Sequence, residues 1–229
     1  MKKFIVQIIL FLLPIILMSY YADNYISKNL KKSNSFAYGE CSTWNAILEG
    51  KVNSDIVIYG SSRAWVHINP TMISNSLKVL SHNLGIDGHN FWLQYLRHSL
   101  LLKNNTKPKL IILSLDVFTL QKVGDLYNSD QFLPYMLWNN EIEEATISYN
   151  GFTSIDYKIP LVRYLGRSKA INIAFSTNRL SDKLQRIRGY QAQERQWNSD
   201  FDKAKKAMKN YEKALDPGTV ILFERFVLS

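Results

Sequence analysis

The longest apolar run in the chain stands at its start, where residues 4–22 read FIVQIILFLLPIILMSYYA. Gln7 is the only strongly polar interruption, and no charged residue occurs between Phe4 and Ala22. At a helical rise of about 1.5 Å per residue, such a run reaches across a hydrocarbon core of about 30 Å. Pro14 kinks a helix in lipid without forbidding it. The stretch Ser19-Tyr20-Tyr21-Ala22 lacks the small-residue pattern of a cleavage site, so residues 1–24 are expected to form an uncleaved transmembrane anchor. Lys2 and Lys3 are answered by Lys28, Lys31 and Lys32, which leaves charge indecisive about orientation. Tyr20, Tyr21 and Tyr25 suit an aromatic belt at the far interface.

Residues 25–54 are polar and read as a linker holding one short helix around Ser42–Leu48. The pattern then changes. Asp55-Ile56-Val57-Ile58-Tyr59-Gly60 is a short apolar run closed by glycine, the form of a buried parallel strand. Asn69-Pro70 is a cap followed by a first-turn proline and predicts a helix to about Leu77. A weaker strand is expected over 78–84, ending at Gly85, and an amphipathic helix over 90–103 with Trp92, Leu96 and Leu100 on one stripe. Residues 109–115 (KLIILSL) form the clearest strand. Strand, helix, strand, helix, strand within about sixty residues predicts an α/β fold with a parallel sheet over residues 55–120. In such sheets sites form at the carboxyl ends of the strands, where Gly60 to Arg63, Gly85 to Asn90, and Asp116 all fall.

Residues 121–229 carry helical and loop patterns without a further parallel strand. Helices are expected over 131–146 and 158–175, broken locally at Pro134 and Pro160, followed by a polar loop over 189–199. Trp197, Phe201, Ala204, Met208, Tyr211 and Leu215 recur at helical spacing, and Asp216-Pro217 starts another helix. The aromatic residues between Tyr127 and Trp138 read chiefly as packing, with glycan stacking as the less common use.

Composition narrows the function classes. Hydrophobic residues make up 46% and charged residues 21% of the chain, which is globular. The formal charge is +9, yet no nucleic-acid module accompanies it, and a basic face toward an anionic cell envelope fits as well. Cys41 is the only cysteine, which excludes an internal disulfide and a cysteine metal cluster. The four histidines, His67, His82, His89 and His98, lack zinc-pair spacing, so no metal or other cofactor is expected.

A serine at a strand-to-helix turn lies exposed beside backbone N–H groups that can hold the oxyanion of acyl transfer. Ser62, two residues after Gly60, has that setting, although a serine turn of this kind more commonly caps the next helix. The blocks DIVIYGSSR, NLGIDGHN and LIILSLD, in that order and spacing, resemble those of the SGNH/GDSL hydrolase superfamily. The nearest likeness is to its membrane-anchored members associated with O-acylation of cell-surface polysaccharide. The resemblance covers roughly residues 55–120. It implies a three-layer, flavodoxin-like parallel sheet, with Ser62 as nucleophile and Gly88 supplying an oxyanion N–H beside that of Ser62. Asp116 falls where the superfamily's third block carries an asparagine, and a carboxylate donates no hydrogen bond unless protonated.

The chain also departs from the superfamily at its end. The general base there comes from a late Asp-Xaa-Xaa-His, and no histidine follows His98 here. His89, in the second loop, is the substitute candidate, with a loop or helix-cap role as its plainer use. His67, just beyond the serine turn, reads as a residue at the start of the next helix. Without a base a serine hydroxyl is a poor nucleophile, so little or no turnover is expected. Two explanations stay open: a truncated form of a longer enzyme, or a shortened non-catalytic relative. The expected function is accordingly a serine esterase or O-acyltransferase module acting on envelope polysaccharide, membrane-anchored with its remaining part extracytoplasmic. The alternative is an anchored glycan-binding or assembly partner of a membrane acyltransferase. Nucleic acid is not an expected partner.

Overall fold

The computed structural model describes residues 2–88, 91–176, 186–193, 199–207 and 215–229, and within the first helix the side chains at 2, 5, 6, 8 and 9 fall outside that set. In chain order the elements are α1 (Lys2–Lys31), α2 (Glu40–Leu48), β1 (Ile56–Tyr59), α3 (Ser62–His67), α4 (Pro70–Leu77), β2 (Ser81–Asn83), α5 (Phe91–Asn104) and β3 (Leu110–Leu113). They continue as α6 (Asn140–Thr146), α7 (Ser154–Lys158), α8 (Ser168–Phe175), α9 (Asp200–Ala207) and α10 (Pro217–Leu228). Two compact units divide the chain, one from Met1–Lys51 with Gly124–Arg186, the other from Val52–Val123 with Ile187–Ser229.

The second unit holds the sheet, ordered β2-β1-β3 with both pairings parallel. The expected α/β class and parallel sheet are therefore present. Every residue of β1 is buried, as an unbroken apolar run in a central strand requires. Its register sets Ile58 opposite Asn83 on one side and Ile112 on the other. The second strand is shorter than the expected 78–84. Lys78 closes α4 in the left-handed region at φ 57, so extended pairing begins only at Ser81. The polar residues of β2 are buried yet bonded: Ser81 Oγ donates to the Pro70 carbonyl at 2.6 Å, and Asn83 N–H donates to Arg188 O at 2.9 Å. That second bond lays the turn Ile187–Tyr190 along the outer edge of β2. Gly189 (φ 79) is required there, because a Cβ would stand 1.8 Å from Asn83 O.

Caps foreseen from sequence form as expected. Asn69 accepts from Thr71 N at 2.9 Å, and Asp216 accepts from Thr219 N at 2.7 Å. Helix α10 packs on α5, its Phe226 ring 5.3 Å from Tyr59 and 4.5 Å from His98. Ser229 Oγ donates to Phe226 O and so accepts from His98 Nε2, which leaves His98 Nδ1 to accept from the Tyr59 hydroxyl at 3.1 Å. His98 is thus a neutral core histidine. Of the expected amphipathic helix over 197–215, α9 is present with Phe201 exposed; Trp197, Met208 and Tyr211 lie outside the described residues.

In the first unit the expected helices over 131–146 and 158–175 are both interrupted. Residues Ser129–Tyr135 form a 3₁₀ turn containing Pro134, and Trp138 (φ 56) separates it from α6. Leu161 (φ 68) and Gly166 (φ 74) interrupt the second before α8. The core joins distant segments: Trp44 on α2 donates its indole N–H to Gln131 at 2.9 Å. Arg163 makes a two-pronged contact with Asp23 of α1 at 2.8 and 2.7 Å, both side chains almost fully buried. The 3₁₀ turn Val162–Tyr164 thereby grips α1, and Tyr164 OH shares a 2.8 Å hydrogen bond with Ser27.

Among the described residues no helix is long and apolar enough to cross a membrane. Every position of α1 from Leu10 to Met18 is nonetheless exposed.

Candidate functional site

The carboxyl edge of the sheet is built by backbone hydrogen bonds that continue the strand ladders into the loops. Ile86 N–H donates to Gly60 O and Ser114 N–H to Tyr59 O, each at 2.9 Å. The first, second and third loops therefore start side by side. Gly60 leaves β1 at φ 150, and a Cβ there would meet Ala64 Cβ at 2.7 Å and Ser114 Cβ at 2.8 Å. Gly85 lies under the next helix, where a Cβ would come within 2.8 Å of Trp65 N. Both glycines are demanded by how closely α3 approaches the strand ends.

Ser61, not Asn69, caps the first helix after β1, its hydroxyl accepting from Arg63 N at 3.3 Å. Ser62 is the first helical residue. It is half-buried, and neither its hydroxyl nor its N–H has a hydrogen-bond partner among the described residues. His67 lies in the last turn of α3 rather than at the start of the following helix. Its exposed ring donates from Nδ1 to Arg63 O at 2.9 Å, which holds it away from proton transfer at that nitrogen.

Gly88 sits at φ 89 in the second loop, and its N–H donates to Asp87 Oδ1 at 3.1 Å. That donor is occupied by a carboxylate. Asp116, in the loop that follows β3, pairs with Arg63 at 3.0 Å; its side chain is buried although Arg63 is largely exposed. The Asp116 N–H donates to Thr119 Oγ1 at 2.8 Å. Asp116 therefore joins the third loop to α3, one residue past Ser62, as a charged acceptor. His89 lies outside the described residues, so of the four sequence candidates Ser62, Gly88 and Asp116 are placed. Among the described residues no histidine or carboxylate bonds to Ser62, and none gather in a group able to hold a metal.

Asn83 and Arg97 support the site in ways that no sequence pattern assigned to them. Asn83 is fully buried; its amide donates to Ala64 O and Ile68 O at 2.8 Å each and accepts from Gly85 N at 2.8 Å. It thereby ties the end of α3 to the second loop. Arg97, also fully buried, donates to the carbonyls of Leu84 and Gly85 at 3.1 and 2.8 Å. Its signal was the spacing Leu93, Arg97, Leu100, which puts a cation on an apolar helix stripe. Arg63 was legible only as part of the serine turn.

His82 on β2 is buried, its Nε2 has no hydrogen-bond partner among the described residues, and burial, with Arg188 and Arg97 nearby, pulls its pKa down to about 4. A neutral imidazole is the consequence. No family model, no curated protein and no solved structure matches the chain.

Proposed function

We propose that this chain is a membrane-anchored SGNH-like module whose ester chemistry centres on Ser62, with an O-acyl group on cell-envelope polysaccharide as substrate class and slow turnover. The observation that carries the reading is the Ser62 hydroxyl and N–H, which have no hydrogen-bond partner among the described residues, at the first turn of α3 beside two further loops at one edge of a parallel sheet. In this reading Ser62 Oγ attacks the acyl carbon while the Ser62 N–H donates to the oxyanion. The ester C–O bond breaks, the sugar leaves as its alcohol with the serine proton delivered through water, and a second water hydrolyses the acyl-serine. General-base assistance supplies about 10²–10⁴-fold in comparable chemistry, and no described residue offers it.

The anchor reading is supported by α1. Exposed apolar side chains cover all of its faces from Leu10 to Met18, and residues 4–22 hold no charge. Water solvates such a surface poorly, and lipid is the solvent that suits it. Residues beyond α1 are proposed to lie on the extracytoplasmic side.

Acyl release from O-acetylated polysaccharide, with and without added imidazole and after subtraction of a protein-free imidazole blank, tests the site. Imidazole in solution stands in for a base that no described residue supplies. The expected result is a slow release that imidazole accelerates and that Ser62→Ala abolishes in both conditions. Release identical in Ser62→Ala sinks the ester reading. Fast release without imidazole overturns the expectation of slow turnover and assigns the base to His89 or another residue. The second reading, a non-catalytic glycan-binding or assembly module, draws on the Gly88 N–H donating to Asp87 and the Asp116 carboxylate in the third loop. Calorimetric binding of the same polysaccharide to Ser62→Ala checks it.

A further inference from the structure

Helix α1 meets the rest of its unit at Asp23, the first of its side chains after Leu10 to be buried. The grip there is unusually complete. Asp23 accepts from both ends of the Arg163 guanidinium, and its Oδ2 also accepts from Leu161 N at 2.7 Å. The segment 159–163 is therefore pinned against α1 about one helical turn from Tyr20.

What surrounds that point is aromatic and exposed. Trp138 is 62% exposed and stacks on Tyr20, with ring centroids 5.4 Å apart and planes 16° apart. It is a non-glycine residue in the left-handed region (φ 56), a conformation that costs free energy unless its surroundings impose it. Two bonds impose it: Trp138 N–H donates to Tyr157 O at 2.8 Å, and its indole N–H donates to Lys158 O at 3.0 Å. The indole thus has its polar atom satisfied toward the protein and its apolar face turned outward. Tyr21, 68% exposed, and Ile159, 49% exposed, flank the same point. Ordinary core packing would bury these rings, and a purely aqueous surface gains nothing from holding a strained Trp in place.

We infer that Tyr20, Tyr21, Trp138 and Ile159 form a collar that seats this unit on the headgroup layer of a lipid bilayer. The inference rests on the anchor reading of α1. Continuity selects lipid as the occupant, since the collar begins where the uncharged run of residues 4–22 ends. Amphipathic rings of Trp and Tyr belong at that depth. The Asp23–Arg163 grip fixes the collar to the helix, so the unit sits at a set height and angle rather than swinging on a free linker.

Cys41 makes the test direct. It is fully buried, and burial pushes its thiol up to about 12, so a thiol probe reacts with an introduced cysteine in preference to it. The full chain carrying Trp138→Cys, Ile159→Cys or Tyr127→Cys is labelled with an NBD fluorophore and reconstituted into phosphatidylcholine–phosphatidylglycerol vesicles. Position 127 is the control, because Asn128 is bonded to Ala37 O at 3.0 Å, beyond the other end of α1. The expected result is a blue-shifted emission at 138 and 159, quenched by a headgroup-depth spin-labelled lipid, with a water-like spectrum at 127. Vesicle flotation and carbonate resistance are measured on the same samples. Water-like spectra at 138 and 159 on a chain that floats and resists carbonate overturn the collar and leave the anchor standing. A chain that does not float removes the anchor reading and the collar with it. A blue shift that grows with protein-to-lipid ratio identifies a second copy as the occupant and overturns the inference.

Discussion

Arg63 in the first turn of α3 and Asp116 in the third loop of the sheet edge are joined by a 3.0 Å contact between Arg63 Nε and Asp116 Oδ1. A carboxylate in that place accepts hydrogen bonds and repels a developing oxyanion, whereas an asparagine amide donates. Asp116→Asn is therefore expected to raise Ser62-dependent ester release, and by no more than the roughly 10²–10³-fold that one oxyanion donor supplies. Because Arg63 is largely exposed, the same change should cost no more than about 1 kcal/mol in urea unfolding. A slower Asp116→Asn variant of unchanged stability would count against an oxyanion site in this loop.

The Asp23–Arg163 pair is a different kind of ion pair, with both side chains removed from water. Removing one partner strands the other as an uncompensated buried charge, at about 3–5 kcal/mol. Asp23→Ala should lower the stability of its unit by that amount. Asp23→Leu combined with Arg163→Met should recover much of it, read by denaturant melts. Equal losses in the single and double variants would show that the pair acts through something other than charge burial.

Glycine positions separate by what a Cβ would meet. Gly60→Ala must displace Ala64 and Ser114, while Gly166→Ala finds open space and suffers only its φ of 74. The expected costs are several kcal/mol for the first and about 1 kcal/mol for the second. Thermal melts of the two variants check the ranking, which a larger loss for Gly166→Ala would reverse.

Two buried histidines make the second unit acid-sensitive. Burial holds His98 at about 4, helped by Lys107, and His82 is likewise near 4, against an ordinary value of 6.5. The unfolded chain takes up these protons first, so their contribution is complete above pH 6.5 and lost as pH falls toward 4. Each proton adds a slope of up to about 1.4 kcal/mol per pH unit within that window. Urea unfolding at pH 7.5 and at pH 4.5 should show the drop, with a shallower one in His82→Gln and in His98→Gln. An unchanged slope in both variants would place the acid sensitivity elsewhere.

What the sequence determined by itself is local. The apolar run of β1, the Asn69 and Asp216 caps and the order of strands and helices follow from periodicity and from side chains that bond to their own neighbours. The placement of Ser62 at a strand-to-helix turn was legible for the same reason, although the helix starts at once rather than at Asn69. What only the tertiary structure decided concerns partners far apart in the chain. Trp44 finds Gln131, Asp23 finds Arg163, and Asn83 and Arg97 lock the loops around Ser62. Periodicity tells which face of a helix is apolar, but not which distant carbonyl will accept from a buried cation on that face. The pairing of the Asp116 carboxylate with Arg63 belongs to the same class. Hydrogen-bond geometry chose those acceptors only after the loops had been brought together.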